Sequence, residues 1–521
     1  MQRRKLPIGL QTFAKMREGN CYYVDKTPFI LQLIDQGSHY FLSRPRRFGK
    51  SVLLDTIKEL FEGRRELFEG LAAETEWDWR VTHPVVHLSF GSGVMRQPAE
   101  LDASIHQQFS EIEQAHGIQC VYPGNANRFM HLLRELHRQS GRRVVVLIDE
   151  YDKPMLDSIT EPDTARAMRA TLRDLYSVIK AADAHVHFVF ITGVSKFSKV
   201  SLFSGLNNLM DLTLNPRYSA ICGYTDSDVD TVFAPELAGL DRAAIRDWYN
   251  GYNWGGEAVY NPYDLLLYFS QRDFQPFWFE TGTPTFLVEL MARQQFYLPG
   301  LPSVIASDSL LAAFDVERMA PEALLFQTGY LTIKQLSQPL SGHRVYTLGY
   351  PNREVEASLN AALLVAYGAE EAPVFSARVQ LIEAVRTARI PVFKDALSAT
   401  FASIPQDWYR NSPLARYEGH YASVVYAQFA ALGLDTRVED ATDKGRIDLT
   451  LRYYPHVYLF EFKVVDSAPT GAALAQLKDR GYASKYRAPG VQVYLIGVEF
   501  ASSTRSIVGF EYEALGEGAT P

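Results

Sequence analysis

Apolar and polar positions along the chain fall into three stretches of different pattern. Residues 1–230 alternate short apolar runs with helical patterns. Tyr40-Phe41-Leu42 predicts a strand, and Ser51 opens a helix with Val52, Leu53, Leu54, Ile57, Leu60 and Phe61 on its buried side. A strand over 84–90, a helix over 100–114, a strand over 144–148, a helix over 164–181 and a strand over 186–192 follow. The run at 144–148 is five consecutive β-prone residues, which suits a parallel strand covered on both faces. This alternation argues a parallel sheet with helices on both faces. Residues 231–375 read as mainly helical, a lid or linker with a small strand-containing, winged-helix-like module near 325–333 and a joint over 367–375. An aromatic turn, Trp248-Tyr249-Asn250-Gly251-Tyr252-Asn253-Trp254, suits the packing of a domain joint better than base stacking. Glu280-Thr281-Gly282-Thr283-Pro284 reads as a turn into another helix. Residues 376–521 form the third stretch. Glu418 precedes a helix over 421–432, then come strands over 436–439, 445–451 and 457–460, a helix over 472–480 and a strand over 491–497.

Composition adds limits. A chain of 521 residues, 47% hydrophobic and 21% charged, holds two to four globular domains. No apolar run reaches membrane-span length and no apolar signal segment opens the chain, so no membrane role is expected. Cys21, Cys120 and Cys222 match no metal pattern and read as reduced thiols of a cytoplasmic protein. The net charge of −8 argues against a surface that is basic throughout, although residues 1–60 carry eleven Lys/Arg against five Asp/Glu.

Two constellations carry chemistry. In the first, the predicted strand enters Arg46-Arg47-Phe48-Gly49-Lys50-Ser51, a phosphate-binding loop with Arg44 where the usual pattern has glycine. Free amides around Arg47, Phe48, Gly49, Lys50, Ser51 and Val52 attract phosphate at a helix start. Lys50 reaches the outer phosphates and the Ser51 hydroxyl suits magnesium. Asp149 and Glu150 end the 144–148 run, where parallel sheets place ligands. Asp149 is expected on magnesium and Glu150 on the attacking water, with Thr192 and Ser195 as candidate sensors of the terminal phosphate. ATP and Mg2+ are the expected cofactors.

The second constellation lies near the C-terminus. Asp448 sits on the strand face opposite Ile447 and Leu449, and Glu461 and Lys463 share one face two residues apart. With Glu418, these give carboxylates for a metal, principally Asp448 and Glu461, and an amine to orient a nucleophile at a phosphodiester.

The chain resembles bacterial AAA-ATPase-like proteins that carry a C-terminal PD-(D/E)xK nuclease-superfamily domain. The resemblance rests on Leu6-Pro7-Ile8-Gly9, Tyr23-Val24-Asp25-Lys26-Thr27, the loop ending Gly49-Lys50-Ser51, Ile148-Asp149-Glu150-Tyr151-Asp152, Thr192-Gly193-Val194-Ser195-Lys196 and the Trp248 turn. It implies an α/β fold: an AAA-like P-loop domain over 1–230, the helical region over 231–375, and an αβββαβ restriction-endonuclease-like domain over 376–521. It makes Glu418 the first-helix acid, Asp448 the central metal ligand and Glu461 with Lys463 the (D/E)xK pair, and it adds Gln476, with Tyr482, as an accessory. The function implied is ATP binding and hydrolysis coupled to magnesium-dependent cleavage of nucleic acid, DNA first, in defence or mobile-element biology. The alternatives are a nucleotide-switched regulator that binds nucleic acid without cutting, and an interaction module. The eleven basic and thirteen acidic residues of 411–521 keep the last in view. AAA-type assemblies also admit an oligomer in which a neighbour's arginine completes the site, with Arg217 one candidate.

Overall fold

The computed structural model describes residues 3–196, 208–282, 288, 291, 298–312, 320–366, 371–404, 418–504 and 506–515. Packing groups the chain into two units. One comprises Met1–Gly282 with Val304–Asn352, and the other Thr283–Ser303 with Arg353–Pro521. The first therefore takes in the 1–230 stretch and much of the middle region. Among the described residues no helix is long and apolar enough to cross a membrane.

The first unit is built on a parallel sheet of β1 (His39–Ser43), β2 (Val85–Ser89), β3 (Val144–Asp149), β4 (Val186–Gly193) and β5 (Met210–Asp211), in the order β2-β3-β4-β1-β5. Every residue of β1 and β3 is buried, as a sheet covered on both faces requires. The register Ser43↔Gly193 in β1–β4 and Ile148↔Ile191 in β3–β4 brings the carboxyl ends of the three strands level. β1 and β2 are consecutive in the chain but far apart in the sheet. The loop after β1 therefore opens where the strand order reverses, the crevice such sheets use for ligands.

A second core ties the N-terminal segment to residues 229–277, through Tyr22 and Val24 against Val229, Phe233, Ile245, Tyr249, Tyr260 and Leu265. The strand-containing module is an antiparallel sheet, β6 (Val304–Ser307), β8 (His343–Gly349) and β7 (Thr332–Leu340), beside helices Asp308–Ala312 and Pro321–Thr328. Within 325–333 the helix Pro321–Thr328 takes residues 325–328, and β7 begins at Thr332. Residues 280–282 close the helix Phe277–Gly282 instead of turning the chain, while Thr283 and Pro284 lie outside the described residues. Of the joint expected at 367–375, residues 371–375 begin the helix Glu371–Thr387 and the rest lie outside.

In the second unit, β9 (Asp435–Thr442), β10 (Gly445–Tyr453), β11 (His456–Val465), β12 (Gln492–Ala501) and β13 (Ile507–Leu515) form one sheet in the order β13-β12-β11-β10-β9. β9–β10 and β10–β11 are antiparallel, while β11–β12 is parallel and is joined by the crossover helix Ala472–Arg480. The expected helix, three strands, helix and strand are all present, and β13 is appended antiparallel to β12. Most boundaries move by a few residues, and two of the shifts bear on candidate site residues. Glu418 opens its helix, Glu418–Ala430, instead of preceding it. β11 continues through Glu461 and Lys463 to Val465, because β12 offers a parallel partner as far as Val465↔Ala501.

Gly251, in the aromatic turn, has φ +111°, and a Cβ there would lie 2.1 Å from the Pro351 carbonyl oxygen. Gly251→Ala is expected to destabilise the first unit by about 2–4 kcal/mol, from backbone strain and a clash with main chain. Urea unfolding followed by tryptophan fluorescence measures it; an unchanged midpoint refutes it.

Candidate functional site

The first site grows from the β1 terminus. Gly49 adopts φ +91°, which glycine tolerates without a Cβ penalty, and the helix Lys50–Phe61 starts at the next residue. Lys50 is buried, with its ammonium on the carbonyls of Arg44 and Pro45, each at 2.9 Å. Ser51 Oγ donates to Asp149 Oδ2 at 2.5 Å, and Thr192 Oγ1 donates to Asp149 Oδ1 at 2.6 Å. One carboxylate thus joins the ends of β3 and β4 to the start of the helix. Glu150, with φ +52°, turns the chain out of β3. Burial raises its carboxyl above the ordinary value, against the opposing pull of the Lys50 ammonium. A cavity of about 550 Å3 lies over the loop, lined among others by Lys50, Ser51, Glu150, Gln11, Tyr224 and Tyr263. That volume suits a nucleotide-sized ligand.

Arg44 explains how the loop does without its first glycine. The side chain is fully buried and turns away from the cavity. It donates to the carbonyls of Ser43 (2.8 Å), Thr213 (3.0 Å) and Tyr218 (3.0 Å), and its guanidinium lies 4.0 Å over the Trp254 ring. Burial pushes its pKa down to about 10, which leaves it charged at neutral pH. Phe48 is also buried, edge-on to Tyr252 and Trp254 at 4.7 and 5.6 Å. The aromatic turn is thereby the packing surface of the phosphate-binding loop. Arg47, exposed and at φ +68°, stands over Tyr263 at 4.9 Å.

Of the two candidate phosphate sensors, Thr192 is at Asp149 and Ser195 is not available. Ser195 is fully buried, and its amide and hydroxyl both donate to Asp152 Oδ2, at 2.6 and 2.5 Å. Asp152 also accepts the Val194 amide. A carboxylate this deep needs such donors, and Ser195 is one of them. Lys196 is paired with Asp211, and the rest of that loop, Phe197-Ser198-Lys199, lies outside the described residues. Arg217 sits exposed on a short turn after Asn215. Sequence reasoning missed Arg44 and Asp152 as organisers. Asp152 had a signal, being a third acid just past an apolar strand.

The second site forms where β10 and β11 part. Their paired register ends at Leu449↔Phe460, and the Phe462 amide instead donates to Asp448 Oδ2 at 2.8 Å. Glu461, 1% exposed, accepts from the Gln476 side-chain amide of the crossover helix, and Lys463 Nζ lies 3.7 Å from the same Glu461 oxygen. Asp448, Glu461, Lys463 and Gln476 therefore converge. The helix of Glu418 is described and its side chain is not. Among the described residues no group of three or more His, Cys, Asp or Glu is arranged to hold a metal. The oxygen donors in hand are the two carboxylates of Asp448 and Glu461, which fit a hard cation.

Glu499 is an acid that the sequence reading passed over. It lies on β12 in register with Lys463 and is 2% exposed. It accepts from the Thr470 amide, the Thr470 hydroxyl at 2.8 Å and the Ala473 amide at 3.4 Å, at the start of the helix Ala472–Arg480. Burial alone would raise its pKa; these donors outweigh burial, and the net shift is downward. Its signal was a lone acid inside an apolar strand. A carboxyl lowered in the folded state contributes stability above its unfolded pKa and loses it as pH falls through the folded value. Glu499→Gln is expected to cost the second unit about 1.5–3 kcal/mol at neutral pH, with the difference shrinking in acid. Urea titrations of both proteins at several pH values test this; a pH-independent gap refutes it.

Comparison with known proteins supports the two kinds of domain. Residues 7–203 match a family model described as "Predicted AAA-ATPase", and residues 416–510 match one described as the PD-(D/E)XK nuclease superfamily. An uncharacterized protein in the vnfD 5′ region of Azotobacter chroococcum mcd 1 is 59% identical over 517 residues, 99% of this chain and 100% of that protein. Such domains use a nucleotide and a divalent metal in general, and the superfamily is one of nucleic-acid enzymes. The chain belongs to the AAA-ATPase-like family whose members carry a C-terminal PD-(D/E)XK nuclease-superfamily domain.

Proposed function

We propose that this protein binds and hydrolyses ATP and that its C-terminal domain is a magnesium-dependent nuclease acting on DNA under nucleotide control. The observation that carries the reading is the convergence of Asp448, Glu461, Lys463 and Gln476 where β10 and β11 separate. The shared carboxylate of Asp149 supports the ATP half.

In the first site, amides of Gly49, Lys50, Ser51 and Val52 and the Lys50 ammonium would take the phosphates, and Ser51 and Asp149 would hold magnesium. Glu150 would accept the proton of the attacking water. In the second, Asp448 and Glu461 would hold magnesium. Lys463 would orient the nucleophile, and Gln476 would fix the Glu461 carboxylate. Bound magnesium supplies charge neutralisation on phosphate oxygens and, in the nuclease site, an acidified water.

A specific observation favours a second reading. With only Asp448 and Glu461 as described donors, a domain that binds DNA without cutting fits the same geometry. Magnesium titration separates the two, since cutting requires a site that Asp448→Asn abolishes.

ATPase activity is expected to vanish in Lys50→Ala and to fall about a hundredfold or more in Glu150→Gln. Because the base must be ionised and its carboxyl is raised, the acid limb of kcat should lie above the ordinary Glu value of 4.5. A steady-state pH profile tests this, and a limb at or below that value removes Glu150 as the base.

Incubation with linear, circular and single-stranded DNA, ATP and magnesium should give cleavage that Lys463→Ala lowers about a hundredfold or more. Cleavage that survives the substitution overturns the assigned site.

A further inference from the structure

The sheet of the first unit carries another recess at its opposite end. A cavity of about 450 Å3 is lined by Trp77, Asp78, His83, His137, His187 and the Arg142-Arg143 pair, with Val81 and Gly141. It lies at the amino ends of β3 and β4, about 17 Å along β3 from Asp149 by strand rise. We propose that this pocket binds a small phosphate-bearing anion, the size of pyrophosphate or a nucleoside monophosphate.

The lining is rich in cationic and imidazole groups. Arg142 and Arg143 are exposed, and neither forms an ion pair with a carboxylate among the described residues. Asp78, the one acid of the lining, is engaged twice by Arg80, at 2.8 and 2.9 Å. Its charge is therefore answered outside the pocket. The Trp77 indole packs edge-on against Phe61, and its Nε1 is buried with no hydrogen-bond partner among the described residues. The Arg142 and Arg143 guanidinium groups beside a cavity of this size match phosphate oxygens, with one Arg143 nitrogen donating to His187 Nδ1 at 3.4 Å.

The imidazoles could suggest a transition metal instead, and the geometry argues against it. The His83 and His187 rings stack at 4.1 Å with 5° between their planes, so their in-plane nitrogens run parallel and do not converge. His83 Nδ1 is taken by the Arg143 carbonyl at 2.8 Å, and His137 Nδ1 faces His185 Nδ1 at 3.0 Å. No three of these groups are arranged for a metal. The two arginines would also repel a cation.

The same histidines give the site a proton readout. Burial, His83 and the Arg143 guanidinium push His187 down to about 4. Burial, with Arg142 and Arg143, lowers His83, and burial with His137 and Arg134 lowers His185. Arg142, Arg143 and Arg134 act on these histidines, Asp78 lines the same recess, and Asp183 shares the short turn of His185. A bound anion offsets the arginine charge, so the pKa values of His83 and His187 rise toward the ordinary imidazole value when the site fills.

Calorimetry of the full chain with inorganic pyrophosphate tests the proposal in a Lys50→Ala background, which removes the phosphate-binding loop's contribution. One site is expected to remain. Arg142→Ser with Arg143→Ser should weaken it at least tenfold, with circular dichroism unchanged because both side chains are exposed. Absence of the remaining site, or its indifference to the arginine substitutions, overturns the proposal. So does displacement of pyrophosphate by a short single-stranded oligonucleotide at equal phosphate concentration, or saturable binding of Ni2+ that pyrophosphate does not oppose.

Discussion

A buried carboxylate is expensive unless donors surround it, and this chain places its most consequential acids where donors from separate elements must meet. Asp149 is 4% exposed and is satisfied by the Ser51 and Thr192 hydroxyls, one from the helix after β1 and one from β4. These contacts set the depth at which the phosphate-binding loop sits relative to the sheet. Asp152 repeats the device one step on. It gathers the amides of Val194 and Ser195 and the Ser195 hydroxyl, and so fixes how the chain leaves β4.

The second unit applies the same constraint with different donors. Asp448 takes a main-chain amide of β11, Glu461 takes a side-chain amide from the crossover helix, and Glu499 takes the free amides at that helix's start. Helix amides there are orphans in any case, so Glu499 answers two unsatisfied sets at once. The helix is held at its first turn by Glu499 and in its second by Glu461, through Gln476. Those two contacts put Gln476 at a fixed distance from the (D/E)xK strand.

How much was legible follows from which interactions are local. The parallel sheet, the loop and the acid pair at 149–150 were readable because periodicity and turn chemistry act within a few residues. Glu461 and Lys463 were readable because alternation in a strand is local too. The extension of β11 to Val465 was not, since it depends on a partner strand some thirty-five residues away. Ser195 was misread because a serine beside a nucleotide loop looks identical in sequence whether it faces phosphate or a buried acid. Arg44 appeared as a missing glycine. Its role depends on Thr213, Tyr218 and Trp254, which lie 169, 174 and 210 residues on.

Arg44 also shows why the loss of a glycine need not weaken a phosphate-binding loop. A glycine there frees the backbone and leaves the loop to be ordered by its ligand. Arg44 spends its side chain on three carbonyls and an indole face, contacts that together resist displacement more than any one alone. Phe48 is clamped from the same aromatic turn, so both ends of the loop are anchored to residues 213–254. The Lys50 ammonium then rests on carbonyls whose positions are already set. Order in this loop is thus built from long-range packing, which explains why the aromatic turn and the loop form one structural feature although some two hundred residues separate them.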